Sequence, residues 1–181
     1  MSNTYTLNVA GVTRELPLCP VNDELSIAAF VMFSDVEMTV ACATELLKRV
    51  PEYDVIITAE SKGIPLAYEM SRQTGLKYIL ARKSRKLYMK RPMAVQVRSI
   101  TTEGLQELYL DTDDIEYLRD KRVLIVDDVI STGESLAALE QLVNTAGGKI
   151  AAKATVLAEG DANKRDDIIF LEHLPLFFKK A

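Results

Sequence analysis

The sequence has 181 residues, of which 48% are hydrophobic, and this length suits a single folded domain spanning residues 1–181. No apolar run reaches the ~20 residues that a membrane helix needs, and the N-terminus lacks the pattern of a secretory signal, so we expect a cytoplasmic protein that does not bind membranes. The net charge of −4 and the pI near 5.2 argue against a protein that binds nucleic acids.

The first predicted elements are a β-hairpin and a helix. Residues 5–16 alternate between apolar and polar side chains around Ala10-Gly11, which predicts a short hairpin. Residues 34–50 carry apolar side chains at helical spacing, and Ser34 with Glu37 has the pattern of a capping box at the start of this helix. We therefore expect a small N-terminal β unit ahead of the first helix.

The next segments predict a βαβ unit. Residues 54–58 ("DVIIT") are a β-branched run typical of a strand that is buried on both faces. The short loop "AESKG" leads into a helical pattern over residues 64–75, and "KYILA" at residues 77–81 predicts a second strand. The two strands of such a unit are parallel.

A basic segment and a predicted antiparallel pair follow. Residues 82–92 ("RKSRKLYMKRP") have no regular period, whereas "AVQVRSI" and "LQELYL" alternate as paired strands do. We expect an inserted β-ribbon over residues 84–110 and a short acidic helix over residues 111–120. By itself the basic segment is equally consistent with a solvated hairpin or an RNA-binding patch.

The remaining sequence predicts a second unit of the same kind. Residues 122–126 ("RVLIV") have the pattern of a strand, residues 134–148 that of a helix closed by two glycines, and residues 149–158 that of another strand. Residues 168–178 predict a last strand and an apolar tail that covers the core, and we assign them no chemistry. The single histidine, His173, lies there, which argues against a histidine-based zinc site. Alternating strands and helices predict an α/β fold with a parallel sheet.

Two adjacent carboxylates, Asp127 and Asp128, directly follow the strand predicted over residues 122–126. Ligands of open parallel sheets bind beyond the carboxyl ends of the strands, so we expect the pair to face a ligand in a solvent-facing crevice. Because like charges repel, the pair does not suit a phosphate group. It suits the hydroxyl groups of a sugar, and a strand-to-helix turn with a solvated acidic end is the simpler alternative.

A cluster of small polar residues, "STGES", follows the acid pair at the predicted start of a helix. The free N–H groups and the positive dipole end of a helix start bind anions, and Ser131, Thr132 and Ser135 add hydroxyl donors. Gly133 permits close approach of the backbone. The string lacks the GxxxxGK[ST] and GxGxxG patterns of nucleotide-binding loops, so the predicted ligand is a phosphorylated sugar.

The whole string "VLIVDDVISTGES" resembles the phosphoribosyl-pyrophosphate binding motif of the type I phosphoribosyltransferases. This resemblance implies an α/β, parallel-sheet fold with an inserted β-ribbon lid and a small N-terminal hood. It also implies that Asp127 and Asp128 hold the ribose 2′- and 3′-hydroxyls and that residues 131–135 wrap the 5′-phosphate. Glu134 occupies a position at which the family most often has glycine.

Two further segments resemble those of adenine phosphoribosyltransferases, in the same order along the chain. The loop "AESKG" is similar to their pyrophosphate loop, with Lys62 where they usually carry arginine, and "ARKSRKL" is similar to their "RKxxKLP" stretch. The resemblance implies that Arg82 and Lys86 face the leaving pyrophosphate. Since a departing pyrophosphate gathers negative charge, we expect Mg²⁺ as cofactor, held through the pyrophosphate and water, with no metal ligand from the protein.

The implied reaction transfers ribose 5-phosphate from phosphoribosyl pyrophosphate to a purine base. Adenine is the favoured base, with xanthine, hypoxanthine and guanine as alternatives, and Val129 is expected to wall the base pocket. Glu103 is the candidate catalytic acid or base, one place away from the family glutamate, where this chain has Thr102, and a solvated loop carboxylate is the alternative reading. The family aromatic that stacks on the base is replaced by Thr13.

Two other classes share this motif. One is a sensor of phosphoribosyl pyrophosphate that regulates transcription, although the chain has no basic helix-turn-helix segment. The other is a phosphoribosyl-pyrophosphate synthetase, which needs a second such domain. The resemblance implies a homodimer in which a basic side chain of one subunit lies near the pyrophosphate of the other. The surplus of cations over residues 82–91 makes Lys83 and Arg85 the candidates, and a monomer with a solvated basic loop is the alternative.

Overall fold

The computed structural model describes residues 3–98 and 105–178. Its strands are, in chain order, β1 (Thr4–Val9), β2 (Val12–Pro20), β3 (Leu25–Ala28), β4 (Val55–Ala59), β5 (Tyr78–Ala81), β6 (Met93–Arg98), β7 (Leu105–Leu110), β8 (Arg122–Ile130), β9 (Lys149–Glu159), β10 (Ile169–Leu174) and β11 (Phe177–Phe178). Its helices are α1 (Val36–Leu47), α2 (Ile64–Thr74), α3 (Thr112–Leu118) and α4 (Glu134–Thr145), with a short 3₁₀ helix at Gly160–Lys164. None of the helices in these ranges is long and apolar enough to cross a membrane.

The central sheet is parallel, with the spatial order β10-β9-β8-β4-β5. All five residues of β4 are buried, as expected for a β-branched strand covered by helices on both faces. The units β4–α2–β5 and β8–α4–β9 confirm the two predicted βαβ units. The predicted α/β fold is therefore correct, and the carboxyl ends of β4, β8 and β9 meet at one edge of the sheet.

Strand β8 is longer than the sequence predicted. We expected it to end at Val126, but its pairing with β9 continues through Asp127 opposite Thr155 to Ile130 opposite Ala158. The acid pair therefore lies inside the strand and not beyond it. The correction has a tertiary cause, because Asp127 and Asp128 disfavour a strand and the pairing with β9 carries the strand past them.

The N-terminal hood is a four-stranded sheet, β1-β2-β3-β11. The predicted hairpin is present, with Val9 opposite Val12 around a turn at Ala10-Gly11, where both φ angles are positive. Its last strand comes from the C-terminus, because Phe177 and Phe178 pair with β3. The apolar tail thus completes the hood.

The start of α1 differs from the predicted capping box. Asp35 is the N-cap and accepts a hydrogen bond from the backbone N of Met38, whereas Ser34 precedes the cap with a φ of 67°. Arg14 of the hood donates to Asp35 and to Glu37. The predicted Ser34–Glu37 pair is therefore wrong, because Glu37 is drawn to the hood.

The inserted ribbon is formed by β6 and β7, which pair antiparallel from Met93 opposite Leu110 to Arg98 opposite Leu105. Its base is packed into the core, since Val95, Leu108 and Leu110 are buried among residues of α4 and the central sheet. A backbone bridge between Arg82 and Tyr109 also ties it to the end of β5. The predicted ribbon is confirmed, and its base is anchored to the body of the protein.

Candidate functional site

The acid pair lies near the carboxyl end of β8. Asp128 is 3% exposed, whereas Asp127 is half-buried. The expectation of a solvent-facing pair is therefore wrong for Asp128. Successive side chains of a strand point to opposite faces of its sheet, so the two carboxyls have different surroundings.

The carboxyl group of Asp127 is perturbed by its surroundings. Its Oδ1 accepts a hydrogen bond from the backbone N of Asp128 at 2.9 Å. Burial, and after it the negative charge of Asp128, raise the pKa of Asp127 from its ordinary value to about 8. The two neighbouring carboxyls therefore resist losing both protons, and a carboxyl that keeps its proton can donate a hydrogen bond as well as accept one.

The loop that follows β4, residues 60–63, packs directly on the acid pair. A Cβ atom built at Gly63 would lie 2.4 Å from Oγ1 of Thr58 and 3.0 Å from Oδ1 of Asp127, so only glycine fits here. Nζ of Lys62 lies 3.3 Å from Oδ2 of Asp128. The structure therefore joins the predicted pyrophosphate loop to the predicted ribose-binding acids.

The basic segment reaches the same loop through Glu60. Nη1 of Arg82 donates to Glu60 at 2.9 Å, the backbone N of Lys83 donates at 2.8 Å, and Nζ of Lys86 lies 3.7 Å away. Burial by itself would raise the pKa of Glu60, but the hydrogen bonds from Lys83 and Arg82 hold it below its ordinary value. Arg82 and Lys86 are thus brought beside the loop, and their role towards a pyrophosphate stays a prediction.

Sequence reasoning missed the role of Glu60. The residue lies in the quoted "AESKG" string, and a carboxylate inside a loop assigned to an anion was the available signal. Its position between two cations indicates that it holds them together when no anion is present.

The phosphate loop, residues 131–135, connects β8 to α4. Helix α4 begins at Glu134 as predicted, and its N-cap Gly133 has a φ of 82°, which favours glycine. No side chain caps this helix end among the described residues, and Ser131, Thr132 and Ser135 are exposed. The first N–H groups of α4 and three hydroxyl groups are therefore positioned to bind an anion.

A cavity of about 550 Å³ opens beside the phosphate loop. Ser131 and Thr132 line one side, and the end of β9, the 3₁₀ helix and the C-terminal segment line the rest, including Glu159, His173 and Phe178. Sequence reasoning had assigned no chemistry to this C-terminal segment. Its contribution follows from the pairing of β11 with β3, which the sequence did not reveal.

Three other residues were singled out in the sequence for contacts with the base: Val129, Thr13 and Glu103. Val129 is half-buried and packs against the cluster that contains the hood residues, so its place on a base pocket stays a prediction. Thr13 is exposed on β2, where it donates to Asn8. Glu103, like Thr102, lies outside the described residues.

Within residues 3–98 and 105–178, no group of three acidic, histidine or cysteine side chains is arranged to hold a metal ion. One hard oxygen lies at the site: Oδ2 of Asp128 is buried, accepts no hydrogen bond from the described residues, and has Nζ of Lys62 at 3.3 Å. This donor set does not form a closed metal cage, but a carboxylate oxygen of this kind suits Mg²⁺ held mainly by a ligand and water.

Fold and site together define an α/β protein whose parallel sheet presents, along one edge, an acid pair, a cluster of cations and an open helix start. The sequence matches the family model of the phosphoribosyl transferase domain over residues 38–176. The chain therefore belongs to the phosphoribosyl transferase family, which confirms the resemblance.

Relatives of two specificities are similar to the chain. A hypoxanthine/guanine phosphoribosyltransferase of Methanococcus voltae is 34% identical over 124 residues, which cover 68% of this chain but only 63% of that protein. An adenine phosphoribosyltransferase of Rhodococcus jostii is 35% identical over 127 residues, covering 70% of this chain and 69% of that protein. The adenine phosphoribosyltransferase structure from Thermoanaerobacter pseudethanolicus has a TM-score of 0.68 at 20% identity, covers 87% of this chain and 95% of that one, and shows the same fold.

Proposed function

We propose that the protein is a purine phosphoribosyltransferase, which transfers ribose 5-phosphate from phosphoribosyl pyrophosphate to a free purine base and releases pyrophosphate. The observation that carries this proposal is the contact between Lys62 of the pyrophosphate loop and Asp128 of the acid pair. The residue proposed to bind the pyrophosphate therefore lies beside a residue proposed to bind the ribose, as the bond between ribose and pyrophosphate requires. The open start of α4 lies a few residues further along the same chain segment, where the 5′-phosphate would bind.

The cations of the site have carboxylate partners that a ligand can replace. Lys62 pairs with Asp128, and Arg82 and Lys86 lie against Glu60. Pyrophosphate is a stronger acceptor for these cations than a single carboxylate, because its charge is higher. Its binding would release Asp128 for a ribose hydroxyl.

The reaction breaks the bond between ribose C1 and the pyrophosphate oxygen, so positive charge develops on the sugar and negative charge on the leaving group. Asp127 and Asp128 hold the ribose hydroxyls and orient C1, and a proton kept by the pair could be donated to one hydroxyl oxygen. Lys62, Arg82 and Lys86 stabilise the charge that grows on the pyrophosphate.

Mg²⁺ is the proposed cofactor, held through pyrophosphate oxygens and water. When bound it neutralises charge on the leaving group. Oδ2 of Asp128 supports this proposal: it has no hydrogen-bond partner among the described residues, and once Lys62 turns to the pyrophosphate it could accept a hydrogen bond from water on the ion.

The base is proposed to occupy the cavity of about 550 Å³ beside Ser131 and Thr132, where the C-terminal aromatic Phe178 can stack on a planar ring. Adenine remains the favoured base, with hypoxanthine, guanine and xanthine as alternatives, and Glu103 remains the proposed general acid or base. The cytoplasm remains our prediction for where the protein acts.

A homodimer that shares its active sites is also proposed. Arg82 and Lys86 are directed at Glu60, whereas Lys83 and Arg85 are exposed. Leu87 in the same segment is 107% exposed, and it is the apolar side chain that the proposed contact would cover.

The decisive experiment incubates the purified protein with phosphoribosyl pyrophosphate, Mg²⁺ and each common purine base, and measures nucleotide and pyrophosphate. We expect nucleotide with at least one purine. The variant Asp127→Asn/Asp128→Asn is the matched control, because asparagine keeps the size of each side chain and removes the carboxylate. A folded wild type that forms no nucleotide from any purine base would overturn the proposal.

A further inference from the structure

Gly133 of the phosphate loop is packed against an arginine from a different part of the chain. A Cβ atom built at Gly133 would lie 2.6 Å from Nη1 of Arg165 and 3.8 Å from its Cζ. The guanidinium therefore lies against the backbone from which α4 begins. No sequence pattern pointed to Arg165, which directly follows the 3₁₀ helix on the wall of the cavity.

The orientation of this guanidinium is set by Asp167. Nε and Nη2 of Arg165 donate to the two carboxylate oxygens of Asp167 at 2.8 and 2.7 Å. A guanidinium is planar and carries its donors in a fixed fork, so this pairing leaves the N–H groups of Nη1 directed away from Asp167. Among the described residues, none accepts a hydrogen bond from Nη1.

Asp167 is in turn anchored to the helix that the phosphate loop begins. Nζ of Lys153 on β9 lies 2.5 Å from Asp167 and 3.1 Å from Glu140 on α4. Hydrogen bonds from Arg165 and Lys153 hold the pKa of Asp167 well below its ordinary value, so this carboxylate stays charged. The two positive and two negative charges of Arg165, Lys153, Asp167 and Glu140 cancel. What Arg165 offers the loop is therefore mainly the two directed N–H donors of Nη1.

We propose that Arg165 is a further phosphate-binding residue, whose Nη1 donates to the 5′-phosphate held at residues 131–135. This inference rests on the proposed function. The loop itself contains no lysine or arginine, whereas a phosphate monoester carries close to two negative charges at neutral pH. A guanidinium with a free edge at Gly133 supplies the charge-assisted donor that backbone N–H groups and hydroxyls cannot.

A purely structural role is the alternative, in which Arg165 only fastens the segment after β9 to Asp167. Arg72 on α2 provides a matched control for this alternative. It makes the same two hydrogen bonds, from Nε and Nη2 to Glu69, at 2.8 and 2.7 Å. It lies in the last turn of α2, at the end of the helix remote from Gly63 and the site.

The test measures binding by calorimetric titration in Mg²⁺ buffer, with ribose 5-phosphate and, separately, with pyrophosphate. Arg165→Gln should weaken the binding of ribose 5-phosphate about tenfold, which corresponds to about 1.4 kcal/mol, and leave the binding of pyrophosphate unchanged. Arg165→Lys should give a smaller, several-fold loss, because an ammonium keeps the charge without the fork. Arg72→Gln should change neither affinity.

Two results would overturn the assignment: an unchanged affinity for ribose 5-phosphate, or an equal loss for both ligands, which a structural role predicts. Thermal melting of each variant shows whether it folds. If Arg165→Gln does not fold, Arg165→Lys decides, and its unchanged affinity for ribose 5-phosphate would reject the proposal. A folded wild type that binds neither ligand would instead contradict the proposed function itself.

Discussion

The ammonium nitrogen of Lys62 lies 3.3 Å from Oδ2 of Asp128, in a pair of unequal exposure: the side chain of Lys62 is 51% exposed and that of Asp128 is 4% exposed. The lysine therefore keeps much of its hydration, while the carboxylate depends on it for charge compensation. The pair links the loop expected to bind pyrophosphate to the strand expected to bind ribose.

Lys62→Gln should lower the free energy of unfolding by about 1–2 kcal/mol, because a buried carboxylate loses its partner while the exposure of the lysine limits the effect. Lys62→Arg should retain most of the stability. Urea unfolding at neutral pH measures the difference. Lys149→Gln is the control, since Lys149 is 70% exposed, lies 4.0 Å from Asp120, and is at the opposite end of the sheet. Equal losses for the two glutamine variants would contradict the role given to Lys62.

Asp127→Asn should change the dependence of stability on pH. The pKa of Asp127 is raised to about 8 in the folded protein, so the folded state binds more protons than the unfolded state between about pH 4 and pH 8. The free energy of unfolding contributed by this group therefore falls as pH rises through that window, by at most about 1.4 kcal/mol per pH unit. The substitution removes this loss.

Melting temperatures of wild type and Asp127→Asn between pH 5 and pH 8 check this expectation. The melting temperature of Asp127→Asn should increase relative to that of the wild type as pH rises. Asp23→Asn, in an exposed loop of the hood, serves as the control and should follow the wild type. Parallel curves for Asp127→Asn and wild type would show that the carboxyl is not perturbed as described.

Gly63→Ala should destabilise the protein by roughly 1–3 kcal/mol, because the new methyl group would overlap Oγ1 of Thr58 and approach Asp127. Gly63 has a φ of −74°, so the cost is steric and does not come from a left-handed backbone. Thr58→Ala removes the nearest atom, and the double variant should recover part of the loss. A double-mutant cycle by urea unfolding measures the coupling, and strictly additive effects would contradict the contact.

Arg82→Ala should reduce kcat roughly ten- to a hundredfold and leave the KM for the base nearly unchanged, because Arg82 is proposed to act on a leaving group whose charge grows in the transition state. Glu60→Gln is the companion variant. It removes the carboxylate that holds Arg82 and Lys86, so it should tighten binding of pyrophosphate. A change confined to the KM for the base would place Arg82 in the base pocket.

Sedimentation at working concentration should show a homodimer, and Leu87→Asp should shift it towards the monomer because a charge would replace an exposed apolar contact. Val21→Asp is the control, since Val21 is 57% exposed on the hood. Mixing Asp127→Asn/Asp128→Asn subunits with Lys83→Ala/Arg85→Ala subunits should restore part of the activity. A fully active monomer would rule out the shared site.

The elements predicted correctly are those whose own residues carry a strong period or a continuous apolar run. Strand β4, with five buried residues, and helix α4, which begins at Glu134 as predicted, are examples. The order of strand, acid pair and helix start over residues 122–134 also followed from the sequence, although the acid pair lies inside β8 and not beyond it.

Long-range pairing decided what the sequence could not. The extension of β8 to Ile130 depends on β9, and the capping of α1 by Asp35 depends on Arg14 of the hood. The meeting of Arg82 with Glu60, and the deeper burial of Asp128 than of Asp127, likewise require the packed structure.

The sequence by itself therefore determined the order of the elements and the residues that we propose bind phosphate, because local periodicity and turn chemistry act over a few residues. The tertiary structure alone decided that β11 closes the hood and that Arg165 lies against Gly133. The physical reason is that these contacts join residues far apart in the chain, and their free energy comes from burial and charge pairing that arise only when the chain has folded.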